Sequence, residues 1–188
     1  GYIALLGRRR RAHLALSGSN SSVAACAGAA TLLASASAAA VVAPPQATLA
    51  QGRLTGAAEV GVERFFDIPF AAPPVGALRW RAPQAPPRWA GIRNAAKFGP
   101  ACPQMVRPAL VAGGVADDQS EDCLQLNIWR PAGARKLPVM VWIHGGAHVI
   151  GSGTFPAFDG TAFARQGVIL VTINYRLGAL GYFAHPAL

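Results

Sequence analysis

Acidic residues are scarce in this 188-residue sequence: eight Asp and Glu stand against seventeen Lys and Arg, and residues 1–50 contain none. A net charge of +9 invites a nucleic-acid reading, but its distribution argues against one. Arg8, Arg9, Arg10 and Arg11 supply four of those charges, and the thirteen basic and eight acidic residues that remain are mixed along residues 51–188. No basic groove interleaved with aromatics is visible, so nucleic acid is not expected as a partner. Phosphate-cradling glycine patterns are also missing. "GGAHVIGSG" (145–153) fits neither G-x-G-x-x-G nor G-x-x-x-x-G-K at the right offsets. No serine sits in G-x-S-x-G, and Ser152, in "IGSGT", has the wrong neighbours two positions to either side.

What is present begins with a leader. A basic block is followed by a polar spacer, an alanine-rich apolar run from about Val23 to Ala43, and Pro44-Pro45. That order matches the n-region, h-region and small-residue exit of an export signal, with cleavage expected between Ala36 and Ala47. The arginine run is compatible with twin-arginine export to a secreted or periplasmic location. "VAAC", ending at Cys26, has the shape of a lipoprotein cleavage site, but the preceding "LSGSNSS" is too polar for a good h-region. A low-complexity tail or a retained anchor is the alternative, although alanine contributes little to membrane insertion, and no stable span is expected after cleavage. The expected division is therefore 1–47 as leader and 48–188 as part of a folded domain. Gly1 at one end and "HPAL" at the other read as a fragment of a longer reading frame.

In the body, Cys102 and Cys123 flank a polar loop and suit a disulfide in an oxidising compartment; two buried thiols are the alternative, and no further ligands stand nearby for zinc. "GRLTGAAEVGVERFFDIPFA" reads as two short strands about a Gly-Ala-Ala turn. "PPVGALRWRAPQAPPRW" has too many prolines for a helix or central strand, so it is expected to wrap the surface and pin Trp80 and Trp89 into the body. Three strands should follow, at 123–129, 138–144 and 168–175. The last two are apolar nearly throughout, as strands covered on both faces are. "FPAFDGTAFARQG" supplies a short helix ending at Gly167. An α/β sheet with antiparallel strands leading in is the fold class these elements imply.

The strand at 138–144 stops at His144-Gly145-Gly146-Ala147-His148. A metal pair at i and i+4 would need a helix, which two central glycines disfavour by about 1 kcal/mol each. A tight turn without chemistry is possible. An oxyanion hole is the third reading: glycine backbone amides at the carboxyl end of a sheet strand can converge on a developing negative charge.

Four ordered motifs carry a resemblance: "FFDIPFAAPPVGALRWRAPQ", "SEDCLQLNIWRP", "PVMVWIHGGAHVIGSG" and "TINYRLGALGYF". Together they resemble the type-B carboxylesterase family, which includes cholinesterases and bacterial para-nitrobenzyl esterases, over roughly residues 52–188. The resemblance implies the N-terminal part of an α/β-hydrolase fold, with a mixed, mostly parallel central sheet, stopping before the nucleophile elbow. It implies carboxylic ester hydrolysis through an acyl-enzyme, with small-molecule esters as substrates and no cofactor. Gly146 and Ala147 would donate backbone N–H groups to the oxyanion, Gly145 giving the turn room. Cys102 and Cys123 match the family's first disulfide, and Arg79 and Glu121 a buried structural ion pair. Arg176 matches a structural arginine whose partner lies downstream, while His144 and His185 are expected in packing or supporting roles. Two positions depart from the pattern: Gln125, where an aromatic or threonine is usual, and His148, which would alter the acyl pocket. His148, Phe155 and Trp142 hint at a partly aromatic lining. Because the serine, acid and histidine of the triad are absent from these residues, the chain alone is expected to be inactive. A non-catalytic cholinesterase-like binding protein is the alternative, and retention of the glycines favours the enzyme.

Overall fold

The computed structural model describes residues 43–105 and 118–186. The leader reading therefore falls largely outside the described residues, as do most of the Ala-rich run and Cys26. At the front edge, Gln46–Thr48 (β1) already forms a strand, with Gln46 opposite Thr55.

Two sheets make up the body. The smaller one orders β1, β2 (Arg53–Thr55) and β5 (Ile92–Asn94) as β1-β2-β5, antiparallel and then parallel. The larger contains β3 (Ala57–Glu59), β4 (Val62–Pro69), β6 (Gln125–Pro131), β7 (Val139–Ile143) and β8 (Ile169–Ile173), in the order β3-β4-β6-β8-β7. Its first three pairings are antiparallel and β7–β8 is parallel, so the sheet is mixed, with antiparallel strands leading in. The hairpin differs from the sequence expectation in one respect. It joins β3 to β4 and reverses at Val60-Gly61, with Glu59 opposite Val62. Gly56 lies before it, packed so closely that an added Cβ would meet the Arg64 carbonyl and the Phe65 ring.

Neighbouring side chains on a strand point to opposite faces, and β4 uses this to build two cores. Phe66 joins Val62, Trp129, Ala164 and Leu170 on the face covered by α1 (Thr161–Arg165). Phe65 joins Leu54, Ile68 and Ala95 on the other, where Trp89 also packs. Between Phe65 and Ile68 the register shifts, and Asp67 takes a left-handed φ of 55° at that irregularity. Trp89 is pinned as expected, with Nε1 donating to the Arg53 carbonyl at 2.9 Å. Trp80 remains half-exposed, held by a 2.9 Å bond to the Ala179 carbonyl.

The helix after β7 forms where the sequence places it. Asp159, two residues ahead of its first residue, accepts the Thr161 N–H at 2.8 Å, and Gly167 follows the helix end. Coverage of β7, however, departs from expectation. All five of its residues are exposed, from 41% at Met140 to 65% at Ile143. The five-residue α1 reaches across β4, β6 and β8, and β7 is the sheet's edge. Among the described residues, no helix is long and apolar enough to cross a membrane.

Candidate active site

The site grows from the carboxyl end of β7. His144, the first residue past the strand, is buried, and its ring stacks on Tyr175 at 4.3 Å and 13°. The Tyr175 hydroxyl donates to the His144 carbonyl at 2.7 Å, closing the pair from side chain to backbone. Nδ1 lies 2.9 Å from the Gly145 carbonyl, which makes Nδ1 the protonated nitrogen and leaves Nε2 as an acceptor without a partner among the described residues. Burial pushes the imidazole pKa below its ordinary value, against a smaller upward pull from the Gly145 hydrogen bond. His144 packs as a spacer under the loop, where burial favours its neutral form. The helical pairing with His148 does not form.

Beyond it the backbone turns through three consecutive positive φ values: 125° at Gly146, 53° at Ala147 and 61° at His148. Gly146 is the position that only glycine fits, because an added Cβ would run into the Ile150 carbonyl. Its own carbonyl accepts from Val149 and Ile150 at 3.0 and 3.1 Å, and the His148 carbonyl accepts from Gly178, the first residue of α2 (Gly178–Tyr182), at 2.7 Å. The Gly146 and His148 carbonyls thus anchor the loop. By contrast, the N–H groups of Gly145, Gly146 and Ala147 have no acceptor among the described residues. Ala147 is exposed, so its amide is left to solvent or to a ligand. At Gly145 an added Cβ meets nothing among the described residues, so any need for room there comes from the open side of the loop.

His148 stacks on Tyr182 at 4.5 Å and meets Tyr175 edge-on at 6.4 Å. Trp142 and Phe155 come together around Phe158 instead, at 5.3 and 6.0 Å, where Trp142 and Phe158 help line a groove of about 300 Å³ beside β7. The three residues expected to share one lining therefore belong to two separate aromatic groups. His185 lies against Phe183, with ring centroids 6.1 Å apart.

Cys102 and Cys123 are disulfide-bonded and buried with Ala71, Leu124 and Leu177. By loop-closure entropy such a link is worth roughly 3 kcal/mol. Arg79 grips Glu121 with two parallel bonds of 2.6 Å, but the pair is partly exposed rather than buried. Those bonds raise the Arg79 pKa and lower that of Glu121. Arg176 lines the same crevice, and its Nη1 has no partner among the described residues. Gln125 is buried, with Nε2 donating to the Asp122 carbonyl at 3.2 Å.

Several supports were not singled out from sequence. Asn174 accepts from Gly153 N–H at 2.8 Å and from the Ser152 hydroxyl at 3.2 Å, which makes Ser152 a buried structural residue. Asn127 and Thr172 both donate to the Gly153 carbonyl. A polar residue inside an apolar strand is the signal that could have found them, since burial of such a group requires a specific partner.

The carboxylesterase family model matches residues 43–187. Fumonisin B1 esterase from Sphingopyxis macrogoltabida is 53% identical over 132 residues, covering 69% of this chain and 24% of that protein. Para-nitrobenzyl esterase from Bacillus subtilis is 44% identical over 137 residues, covering 72% of this chain and 28% of that protein. Among solved structures, a thermophilic PNB esterase superposes with a TM-score of 0.71 at 41% identity, over 76% of this chain and 30% of that one. The chain spans about a quarter of the length of the curated relatives it matches.

Proposed function

The chain belongs to the carboxylesterase family, and on that premise we propose that it supplies the oxyanion-binding part of a serine carboxylic ester hydrolase acting on small-molecule esters. One observation carries the reading. At the end of β7, a loop anchored through its Gly145, Gly146 and His148 carbonyls leaves the amides of Gly146 and Ala147 without acceptors among the described residues. When a nucleophile adds to an ester carbonyl, the carbonyl oxygen takes up negative charge. Fixed N–H dipoles stabilise that charge without reorganising at the moment of reaction. The acyl-enzyme then forms as the alkoxide collapses and expels the alcohol, and water repeats the sequence. No cofactor is needed for these steps.

These 188 residues hold no G-x-S-x-G, so the nucleophile, base and acid would come from sequence outside them. The chain by itself should hydrolyse no ester. Export to a secreted or periplasmic location, after cleavage of the leader, is part of the same proposal, and the Cys102–Cys123 bond supports it. The test is to read the genomic DNA beyond codon 188, express the whole frame and assay p-nitrophenyl acetate. A G-x-S-x-G within the next forty or so codons and steady turnover are expected. A frame without that elbow, or with no turnover, overturns the reading in favour of a binding protein.

His144 adds a pH signature. Its folded-state pKa lies below the ordinary 6.5, so as pH falls toward and below 6.5 the unfolded chain takes up the proton before the folded one. The imidazole's contribution to stability is therefore present well above pH 6.5 and is lost as pH falls through the unfolded value toward the lower folded-state pKa. Thermal melts of the full-length protein from about pH 8 to pH 5 should show this decline, and His144→Phe, which keeps a ring against Tyr175, should flatten it. An unchanged slope in the variant would remove His144 as the cause.

A further inference from the structure

The loop after β7 is also held from outside, by a side chain that the ester chemistry does not use. Gln104 Oε1 accepts the Gly151 N–H at 2.8 Å, and Gln104 Nε2 donates back to the Gly151 carbonyl at 2.8 Å. One carboxamide thus pairs with both polar groups of a single backbone residue, 47 positions away in sequence. Its own footing is firm. Nε2 also donates to the Cys102 carbonyl at 3.1 Å, the Gln104 N–H donates to Gln119 Oε1 at 2.8 Å, and Cys102 is buried and disulfide-bonded two residues earlier.

Gly151 is where such a grip matters. It has φ +124°, and an added Cβ there would run into His144 Nδ1 and come within 2.6 Å of the Gly145 carbonyl. The far end of the loop therefore lies directly against its beginning. Between these two ends stand Gly146 and Ala147, with Gly146 packed against the Ile150 carbonyl. If Gly151 drifts, Ile150 drifts with it, and the contact that sets the Gly146 peptide is released.

We propose that Gln104 is a positioning residue for the oxyanion loop: by docking Gly151 against His144 and Gly145, it fixes the direction of the Gly146 and Ala147 amides. The inference rests on those amides being the oxyanion donors. Gln104 touches no reacting atom, so its effect should appear in transition-state stabilisation more than in substrate binding. Small misplacements of preorganised donors are costly, on the order of 10²-fold for about 1 Å.

The experiment uses the full-length protein and p-nitrophenyl acetate, with rates expressed per active site titrated by a fluorophosphonate. Gln104→Ala removes both bonds to Gly151. Gln104→Glu keeps the acceptor but sets an oxygen against the Gly151 carbonyl, and it serves where the alanine variant folds poorly. Both should lower kcat about 10- to 100-fold while KM moves less than about threefold. Affinity for a trifluoromethyl ketone, which forms a tetrahedral adduct, should weaken by the same factor as kcat/KM. A purely structural role would lower the melting temperature and the titratable fraction but leave kcat per site and ketone affinity within about twofold, and that result overturns the proposal. A wild-type protein that turns over no ester fails the underlying reading instead, before any variant is compared.

Discussion

Gly146→Ala should lower the kcat of the full-length protein by about 10²- to 10³-fold, the cost of losing one oxyanion donor. Two features make this substitution severe despite its size. The position has φ +125°, where an L side chain is strained, and the new methyl would collide with the Ile150 carbonyl. Neither conflict can be relieved without turning the peptide that carries the Gly146 amide. KM should change far less, because the ground-state ester carbonyl carries little of the charge the amide is placed to meet. Stopped-flow acylation with p-nitrophenyl acetate, alongside a thermal melt, separates this loss from unfolding. A variant with kcat within about fivefold of wild type and an unchanged melt would show that the Gly146 amide is not a donor.

The second large effect concerns the folded part on its own. Expressed alone, residues 48–188 should aggregate or remain molten. Among the described residues, strand β7 presents Val139, Met140, Val141, Trp142 and Ile143 to solvent, and as the sheet's edge it leaves one row of backbone groups unpaired. An apolar edge of this kind templates association with other chains. Strong binding of a hydrophobic dye, a collapsed amide spectrum and no cooperative melt are expected. A sharp two-state melt with dispersed amide resonances would contradict this and would mean that the cores around Trp129 and Phe65 suffice.

These two results also mark where the sequence was legible and where it was not. The β-branched and apolar runs located β6, β7 and β8 to within about two residues, because period and composition are local properties. The turn was misplaced because Gly56 and Gly61 look alike in one dimension. Only the packing of Gly56 against Arg64 and Phe65 shows that it serves close approach rather than reversal. The bareness of β7 was equally invisible. Its composition records a strand meant to be covered, whereas coverage depends on which elements lie beside it.

The site divides in the same way. Gly145, Gly146 and Ala147 stood out because a glycine pair after an apolar strand is a backbone signal. Tyr175, Gln104 and Asn174 did not, since each acts on the loop across 21 to 47 positions through one or two hydrogen bonds. His148 shows the limit of reading a departure from pattern. Its ring has settled on Tyr182, in a different aromatic group from Trp142 and Phe155.

The most direct test of the central claim is a crystal structure of the full-length protein inactivated by a p-nitrophenyl phosphonate, whose phosphoryl oxygen stands in for the oxyanion. The account predicts that oxygen between about 2.7 and 3.1 Å from both the Gly146 and Ala147 nitrogens. A phosphoryl oxygen held by other groups, with neither amide within hydrogen-bond distance of it, would contradict it.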